Sequence, residues 1–493
     1  IEERWLYEAM WECYLPLLQL LRGAAGAPGG GPRISLSLSP TLLAMLEDPH
    51  HRAGFLRYRE QLAGMLGRAS GIAAVAGGVS DHARRLEQSA ALHDALRGKL
   101  VAAFAELARE GRLELFTTAA THAFLPGLLT RSAVRAQIRL GGRYLYELTE
   151  ITPRGLWLPE CGVSEAVMQE LAASGASFTV VDEHALGLAD PPAPSVAAPI
   201  VTPLGVACFG RHVALVAKVW SRQAGYPGDP TYREFHHDLN DVPAYRQALG
   251  CPWPGPSGIR PFRVTGDGEK QPYSPLAAKK RAKEHAADWV RHIDAELERL
   301  GEDAVVVLAF DAELFGHWFW EGPAFLEEVL RLLGPRAITL GDVLDQDPEL
   351  VVAEPAESSW GDGGHAQVWV HPAVSHLVRS EHRAERRVAL VDDVVRDTPR
   401  TPLQRRARLA AIRQLLLLQS SDFAFMIRGE ESRDFVARRT REHAGHVERL
   451  TEIARAERTT PEDELYVRRV EARWPLFAEL DEDALADALD AFE

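Results

Sequence analysis

The chain contains little cysteine and has no long apolar run. Its four cysteines, Cys13, Cys161, Cys208 and Cys251, are too few for a disulfide framework in 493 residues and too widely spaced for a C-x-x-C metal pair. No stretch of about 18 apolar residues occurs, and the first residues lack the basic and then apolar pattern of a signal peptide. These absences favour a reducing compartment, so we predict a cytoplasmic protein without a membrane partner.

Basic charge is also in short supply. The chain has 55 Lys and Arg against 70 Asp and Glu, a net charge of −15, and no segment carries a basic stripe for a phosphate backbone. Glycine-rich pieces such as Gly361 to Gly364 form neither a G-x-G-x-x-G motif nor a Walker loop after a strand. We therefore predict no nucleic-acid partner, no nucleotide-dependent chemistry and no cofactor.

What the sequence does contain is an alternation of short apolar runs and helix-length amphipathic segments. The runs typical of strands are Ile34 to Ser39, Leu113 to Thr117, Gly155 to Pro159, Phe178 to Asp182, Val213 to Trp220 and Ala304 to Phe310. This alternation predicts parallel βα units, which close into a barrel or form an open doubly wound sheet. In both architectures the loops at the carboxyl ends of the strands carry the chemistry.

Composition divides the chain into two predicted domains. Residues 1–398 form the predicted catalytic α/β domain, with an irregular insert at about 221–274 that is rich in Pro, Gly, Tyr and Trp. From 399 to 493 the apolar residues recur at helical spacing, as at Leu409, Ile412 and Leu416. We predict that this last part is an α-helical domain.

Two acidic residues follow predicted strands directly. Glu160 ends the run that contains Trp157, and Asp311 ends the run before His317 and Trp318. A carboxylate in such a place is either a structural ion-pair partner or a catalytic group. Aromatic side chains packed densely beside it favour a ligand, although core packing explains them too.

A second pair of tryptophans, Trp360 and Trp369, also accompanies an acidic residue, Glu357. The faces of sugar rings stack on indoles, and two carboxylates suffice for glycoside chemistry, in which one attacks the anomeric carbon and the other protonates the leaving oxygen. The residues therefore predict a glycosidase or transglycosidase that uses Glu160 and Asp311.

Histidines support a second hypothesis. His122 follows another strand, where it is either a hydrogen-bonded structural group or a ligand for sugar hydroxyls. Together with His184, His236, His237 and His317 it makes a metal hydrolase the obvious rival. No H-x-x-x-H or H-x-H pattern at a predicted element supports that rival, so we predict no metal.

The motifs resemble glycoside hydrolase family 57 and, within it, the 1,4-α-glucan branching enzymes. The matching stretches are EERWLYEA at 2–9, ELFTTAATHAFLP at 114–126, GLWLPEC at 155–161, AFDAELFGHWFWEGP at 309–323, ESSWG at 357–361 and QSSD at 419–422. They run through nearly the whole chain, and those containing Glu160 and Asp311 are the most specific.

The resemblance implies a fold, a mechanism and a set of site residues. It implies an incomplete (β/α)7 barrel with a helical C-terminal domain, and it assigns Glu160 as the nucleophile and Asp311 as the acid/base of a retaining mechanism. The residues expected at the substrate, from the motifs and the aromatic pattern together, are His122, Trp157, Phe262, His317, Trp318, Trp360, Trp369 and Asp422.

Three departures from the family pattern affect these expectations. The histidine-rich first motif is absent, so we expect the barrel to lack its first strand. No tyrosine occurs between Glu183 and His212, where branching enzymes resemble one another in carrying one on a flexible loop. Phe262 and Phe423 stand where the family often has tryptophan, which preserves an aromatic face.

We therefore predict a retaining transglycosidase that forms α-1,6 branches from α-1,4-glucan. Two alternatives stay open. One is an α-1,4-glucan hydrolase or 4-α-glucanotransferase with the same carboxylates, since a loop without tyrosine gives water better access to the glycosyl-enzyme. The other is a non-catalytic glucan-binding protein. The expected partner in every case is an α-1,4-glucan, and the sequence gives no oligomeric state.

Overall fold

The structure is a computed structural model, and it describes residues 2–23, 31–221, 224–301, 303–395, 401–429 and 432–477. In chain order the helices are α1 (Glu2–Ala9), α2 (Leu15–Gly23), α3 (Pro40–Glu47), α4 (Pro49–Ala69), α5 (Ala76–Ala95), α6 (Leu100–Arg109), α7 (Arg131–Thr149), α8 (Glu165–Ala173), α9 (Glu183–Gly187), α10 (Val213–Trp220), α11 (Pro243–Leu249), α12 (Pro275–Leu300), α13 (Gly322–Leu333), α14 (Leu340–Leu344), α15 (Ser375–Val395), α16 (Pro402–Leu418), α17 (Ser421–Arg428), α18 (Arg433–Arg455) and α19 (Pro461–Arg473). The strands are β1 (Ile34–Ser37), β2 (Leu113–Thr118), β3 (Leu156–Trp157), β4 (Phe178–Asp182), β5 (Ile200–Val201), β6 (Ala207–Arg211) and β7 (Val351–Val352). The predicted α/β class is confirmed.

The residues fall into two units. The first unit comprises Ile1–Ser35, Met45–Glu114 and His212–Gln346, and the second comprises Leu36–Ala44, Leu115–Arg211 and Asp347–Glu493. This division follows contacts rather than chain order, and the boundary predicted at 398/399 stays a prediction. The described part of 399–493 consists of α16 to α19, whereas residues 478–493 lie outside the described residues.

Helices dominate the first unit. Between α1 and α2 a π-helical turn, Met10–Tyr14, buries all five of its side chains. The indole of Trp11 meets that of Trp320 edge to face, with ring centroids 5.6 Å apart, and both side chains are buried. Such aromatic pairs contribute large buried areas to a core.

The second unit contains the sheets, apart from the first residues of β1 and β2. One sheet has the order β1-β2-β3 and the other β4-β6-β5-β7. β2 pairs with β3 and β4 with β6 in parallel, and a parallel bridge joins Gly155 to Phe178. β5 runs antiparallel to β6. Apolar side chains of these strands, including Leu156, Val181 and Cys208, pack with α7 and α8 into one core.

The structure corrects two predicted strands. Val213–Trp220 is the helix α10, in which the ring of His212 accepts a hydrogen bond from the Leu215 amide as an N-cap. A short apolar run suits a buried helix as well as a strand, so periodicity alone could not decide. Ala304 to Phe310 forms no regular strand; its described backbone makes a bridge at Val307, whose carbonyl accepts from the His212 amide at 2.9 Å.

Among the described helices, no single one is long and apolar enough to cross a membrane. A bent pair, Pro49–Ala69 with Ala73–Ala95, meets the criterion by length and composition only.

Candidate active site

Glu160 lies immediately beyond β3 in a turn with unusual backbone geometry. Its φ and ψ are 61° and 20°, and the next residue, Cys161, has a φ of 51°. Non-glycine residues in this left-handed region cost roughly 1–3 kcal/mol each, and they concentrate at functional sites. The Trp360 amide donates to the Glu160 carbonyl at 2.9 Å, which holds the turn in place.

Both carboxylate oxygens of Glu160 accept a hydrogen bond. The Ser421 hydroxyl donates to Oε1 at 2.8 Å, and the Trp360 indole donates to Oε2 at 2.7 Å. The imidazole Nδ1 of His122 lies 3.8 Å from Oε1 and 2.9 Å from the Ser421 hydroxyl. Donors on both oxygens fix the orientation of the carboxylate, as a nucleophile requires.

His122 and Ser421 are held together by their backbones as well. The Ser421 amide donates to the His122 carbonyl at 3.0 Å, and Ala123 and Ser420 form an antiparallel bridge. His122 itself has a φ of 54°. The loop after β2 and the start of α17 therefore meet at the Glu160 carboxylate.

Ser421 was missed by the sequence reasoning, which selected its neighbour Asp422. Asp422 is exposed, and the Ser420 hydroxyl donates to its Oδ2 at 3.3 Å. The signal was present in the QSSD motif, but an N-terminal serine of a helix is usually only a cap.

The predicted tryptophans of this unit differ in their surroundings. Trp157 and Trp360 meet edge to face at 5.2 Å, and Trp360 touches Glu160 as described. Trp369 stacks on Phe124 with ring centroids 4.8 Å apart and is only 5% exposed, so its side chain is part of the buried core. The second unit thus brings together Glu160, His122, Trp157 and Trp360.

Asp311 belongs to the first unit. It precedes a 3-10 turn, Ala312–Leu314, and its carbonyl accepts from the Leu314 amide at 3.1 Å. Trp318 is 41% exposed and meets Trp220, itself 45% exposed, edge to face at 5.7 Å. Phe262 is 6% exposed and packs against the ring of His237, so its face is largely covered.

His317 is oriented by a buried carboxylate. Its Nδ1 lies 2.7 Å from Glu12 Oε2, and its carbonyl accepts from Arg233 Nη2 at 3.0 Å. Burial opposes ionisation of Glu12, but the His317 hydrogen bond and the charges of His317, Arg233 and Arg260 outweigh it and lower the pKa of Glu12. Glu12 therefore binds the Nδ1 side of the His317 ring, and Nε2 is the second ring nitrogen.

The same cluster bears on the metal hypothesis. Glu8, Glu12 and His317 place ligand atoms within 4.8 Å of one another. Arg260 Nη2, however, lies 3.3 Å from Glu8 Oε2, and burial raises the pKa of Glu8 despite this partner. A carboxyl with a raised pKa beside a guanidinium is a poor ligand for a metal cation.

Comparison with known proteins identifies the family of the chain. The family model described as glycosyl hydrolase family 57 matches residues 12–345. The chain belongs to glycoside hydrolase family 57. A second model, the C-terminal domain of 1,4-alpha-glucan branching enzymes, matches residues 381–484 of this family 57 chain. The resemblance inferred from the motifs is confirmed.

Two curated relatives that are similar over most of this chain are named as 1,4-alpha-glucan branching enzymes. A probable 1,4-alpha-glucan branching enzyme of Mycobacterium tuberculosis is 32% identical over 90% of this chain and 86% of that protein. A 1,4-alpha-glucan branching enzyme of Thermococcus kodakarensis is 29% identical over 91% of this chain and 70% of that protein.

Solved structures agree on the fold and include two activities. A family 57 branching enzyme of Pyrococcus horikoshii superposes with a TM-score of 0.87 at 28% identity, covering 98% of this chain and 92% of that one. The α-amylase AmyC of Thermotoga maritima superposes with a TM-score of 0.86 at 30% identity, covering 99% and 95%.

Proposed function

We propose that this family 57 chain is a retaining α-glucan transglycosidase that forms α-1,6 branches from α-1,4-glucan. The observation that carries the proposal is the Glu160 carboxylate, held on both oxygens by Ser421 and Trp360 at the end of a strand. The two matched family models and the curated branching enzymes support the same activity.

In this mechanism Glu160 attacks the anomeric carbon of an α-1,4 linkage while Asp311 protonates the departing oxygen. The covalent glycosyl-enzyme is then passed to an acceptor, from which Asp311 takes the proton. When the acceptor is a glucan 6-hydroxyl, the product is a branch point. His122 and Trp157 near Glu160, and His317 and the exposed Trp318, which follow Asp311 in the sequence, bind glucosyl units. Trp360 also binds a glucosyl unit while its indole N–H holds Glu160.

The remaining predicted substrate residues need a more specific role. Asp422 is exposed and can bind sugar hydroxyls directly. Trp369 and Phe262 are largely buried, so in this proposal they pack beneath the residues that contact the substrate. Phe423 keeps an aromatic face close to Asp422.

We also propose the finer architecture that goes with this function. The two sheets and their helices form the incomplete (β/α)7 barrel of the family, within a catalytic domain at 1–398, and 399–493 form the helical C-terminal domain. None of the four cysteines, all of them among the described residues, forms a disulfide, which supports a cytoplasmic location.

One observation favours hydrolysis as the second candidate function. The segment between Glu183 and His212 has no tyrosine, and α9, β5 and β6 occupy much of it. The amylase of Thermotoga maritima is about as similar to this chain as the branching enzyme of Pyrococcus horikoshii, with TM-scores of 0.86 and 0.87 and identities of 30% and 28%. Water then competes with the glucan for the glycosyl-enzyme.

The test is to incubate the protein with amylose and to quantify α-1,6 linkages by proton NMR against free reducing ends. Branching predicts new α-1,6 linkages with few reducing ends, whereas reducing ends without branches would assign hydrolysis. Glu160→Gln and Asp311→Asn should each abolish both products. Glu165→Gln, at an exposed position at the start of α8, is the matched control and should keep full activity. Equal activity of Glu160→Gln and the parent would remove Glu160 from catalysis, whereas no product from either protein would leave the non-catalytic, glucan-binding alternative.

A further inference from the structure

Arg211 ends β6 directly beside the end of β4. The two strands are parallel, and their register pairs Arg211 with Asp182. The guanidinium Nη2 lies 2.5 Å from Asp182 Oδ2. The other oxygen of Asp182 lies 3.1 Å from Nδ1 of His184, whose Nε2 lies 2.6 Å from the Gly364 carbonyl.

The guanidinium also faces an aromatic ring. Its central carbon lies 5.2 Å from the ring centroid of Trp360. Its Nε is buried and makes no hydrogen bond within the described part of the chain. A guanidinium held by a carboxylate on one edge, with its charge over an indole, makes a cation–π contact.

Trp360 is the residue that donates to Oε2 of Glu160 at 2.7 Å. A cation over the indole withdraws electron density from it and makes the ring N–H a stronger donor. The same contact, with Asp182 behind it, restricts how far the indole can rotate. Asp182, Arg211, Trp360 and Glu160 therefore form a continuous series of contacts.

We infer that Arg211 is a positioning residue for Glu160 and acts through the indole of Trp360. The inference rests on the proposed function, in which Glu160 is the nucleophile. Within the described residues, no hydrogen bond or ion pair joins Arg211 to Glu160; its contacts are with Asp182 and the indole of Trp360. Its contribution is to fix the direction and strength of one of the two hydrogen bonds that orient the carboxylate.

The experiment uses α-maltotriosyl fluoride as the donor, with amylose as acceptor. Fluoride leaves without a proton from Asp311, so the rate of fluoride release isolates the attack by Glu160. The variants are Arg211→Met, Trp360→Phe and the double variant, in the full chain. Phenylalanine keeps an aromatic ring but removes the indole N–H.

We expect Arg211→Met to lower kcat about tenfold, the effect of one partly desolvated cation–π contact, with KM within about twofold of the parent. Because the effect passes through the indole N–H, adding Arg211→Met to Trp360→Phe should change kcat little further. Arg211→Lys keeps the charge and should recover part of the rate. This variant also tests the inference should Arg211→Met fail to fold.

Arg135→Met is the matched control. Arg135 likewise binds a buried carboxylate, with its Nε 2.7 Å from Glu170, but the pair makes no described contact with Glu160. It should leave kcat unchanged. Multiplicative effects of Arg211→Met and Trp360→Phe, or an unchanged kcat in Arg211→Met, would overturn the inference.

Glu160→Gln separates the two levels of the argument. If Glu160→Gln loses fluoride release while the effects of Arg211→Met and Trp360→Phe on kcat multiply, only the positioning role of Arg211 is refuted. Full fluoride release by Glu160→Gln removes the proposed function, and the role of Arg211 with it.

Discussion

Glu381 and Glu385 make the stability of the second unit depend on pH. They lie one turn apart on α15, where like charges repel. Glu385 accepts hydrogen bonds from the Thr130 amide at 2.6 Å, the Thr130 hydroxyl at 2.7 Å and the Leu129 amide at 3.2 Å. These donors hold the Glu385 carboxylate in place. Burial, and then the charge of Glu385, raise the pKa of Glu381 from 4.5 to about 8.

The direction of the effect follows from where the proton is lost. The unfolded chain releases the Glu381 proton near pH 4.5, whereas the folded chain keeps it until about pH 8. Stability is therefore fully present below pH 4.5 and falls as the pH rises through this window. A gap of 8 − 4.5 = 3.5 units at about 1.4 kcal/mol each gives an upper bound of about 5 kcal/mol. Because the Glu381 side chain is only half-buried, solvent screening reduces this, and we expect about 2 kcal/mol above pH 8.

Glu381→Gln removes the titration while keeping the shape of the side chain. We expect the urea midpoint, followed by tryptophan fluorescence, to be nearly that of the parent at pH 5 and clearly higher at pH 8.5. Glu452→Gln, at an exposed position on α18, is the control and should show no such trend. A difference between Glu381→Gln and the parent that stays constant or shrinks with rising pH would refute the reasoning.

Two further predictions concern single contacts. Ser421→Ala removes the hydroxyl that donates to Glu160, and we expect kcat on amylose to fall about tenfold or more with little change in KM; an unchanged kcat would contradict this. A Cβ on Gly141 would lie 2.1 Å from the Thr118 carbonyl, so Gly141→Ala should lower stability by about 2 kcal/mol in thermal unfolding. Gly142→Ala, with 3.8 Å of clearance on the same helix, should not, and equal effects would refute the clash.

The fold could be predicted from sequence where a short apolar run ends in polar residues. The runs at 34, 113, 155 and 178 all contain strands. β6 was missed because Ala207–Arg211 includes a glycine and lacks a run of β-branched residues. The prediction of a strand at 213–220 is wrong. This short apolar segment forms the buried helix α10, and its sequence has no clear periodicity that separates a buried helix from a buried strand.

For the candidate site, sequence reasoning could place Glu160 but could not find what surrounds it. The position after an apolar run made the carboxylate a candidate, and the nearby tryptophans and the family resemblance selected it. Its two hydrogen-bond donors, Trp360 and Ser421, lie 200 and 261 residues away along the chain. Trp360 was predicted to bind the sugar. The structure adds that its indole N–H donates a hydrogen bond to the Glu160 carboxylate. Arg211 could not be predicted from the sequence, since one arginine at a strand end has many structural uses.

The backbone at the site explains why local propensity could not help. His122, Glu160 and Cys161 all have positive φ values, which local sequence does not favour in residues other than glycine. Two long-range hydrogen bonds hold these turns, from the Trp360 amide to the Glu160 carbonyl and from the Ser421 amide to the His122 carbonyl. The residues that hold the backbone are thus the ones whose side chains bind the Glu160 carboxylate. Strain of this kind persists only where tertiary contacts enforce it, and here those contacts also orient the carboxylate of the proposed nucleophile.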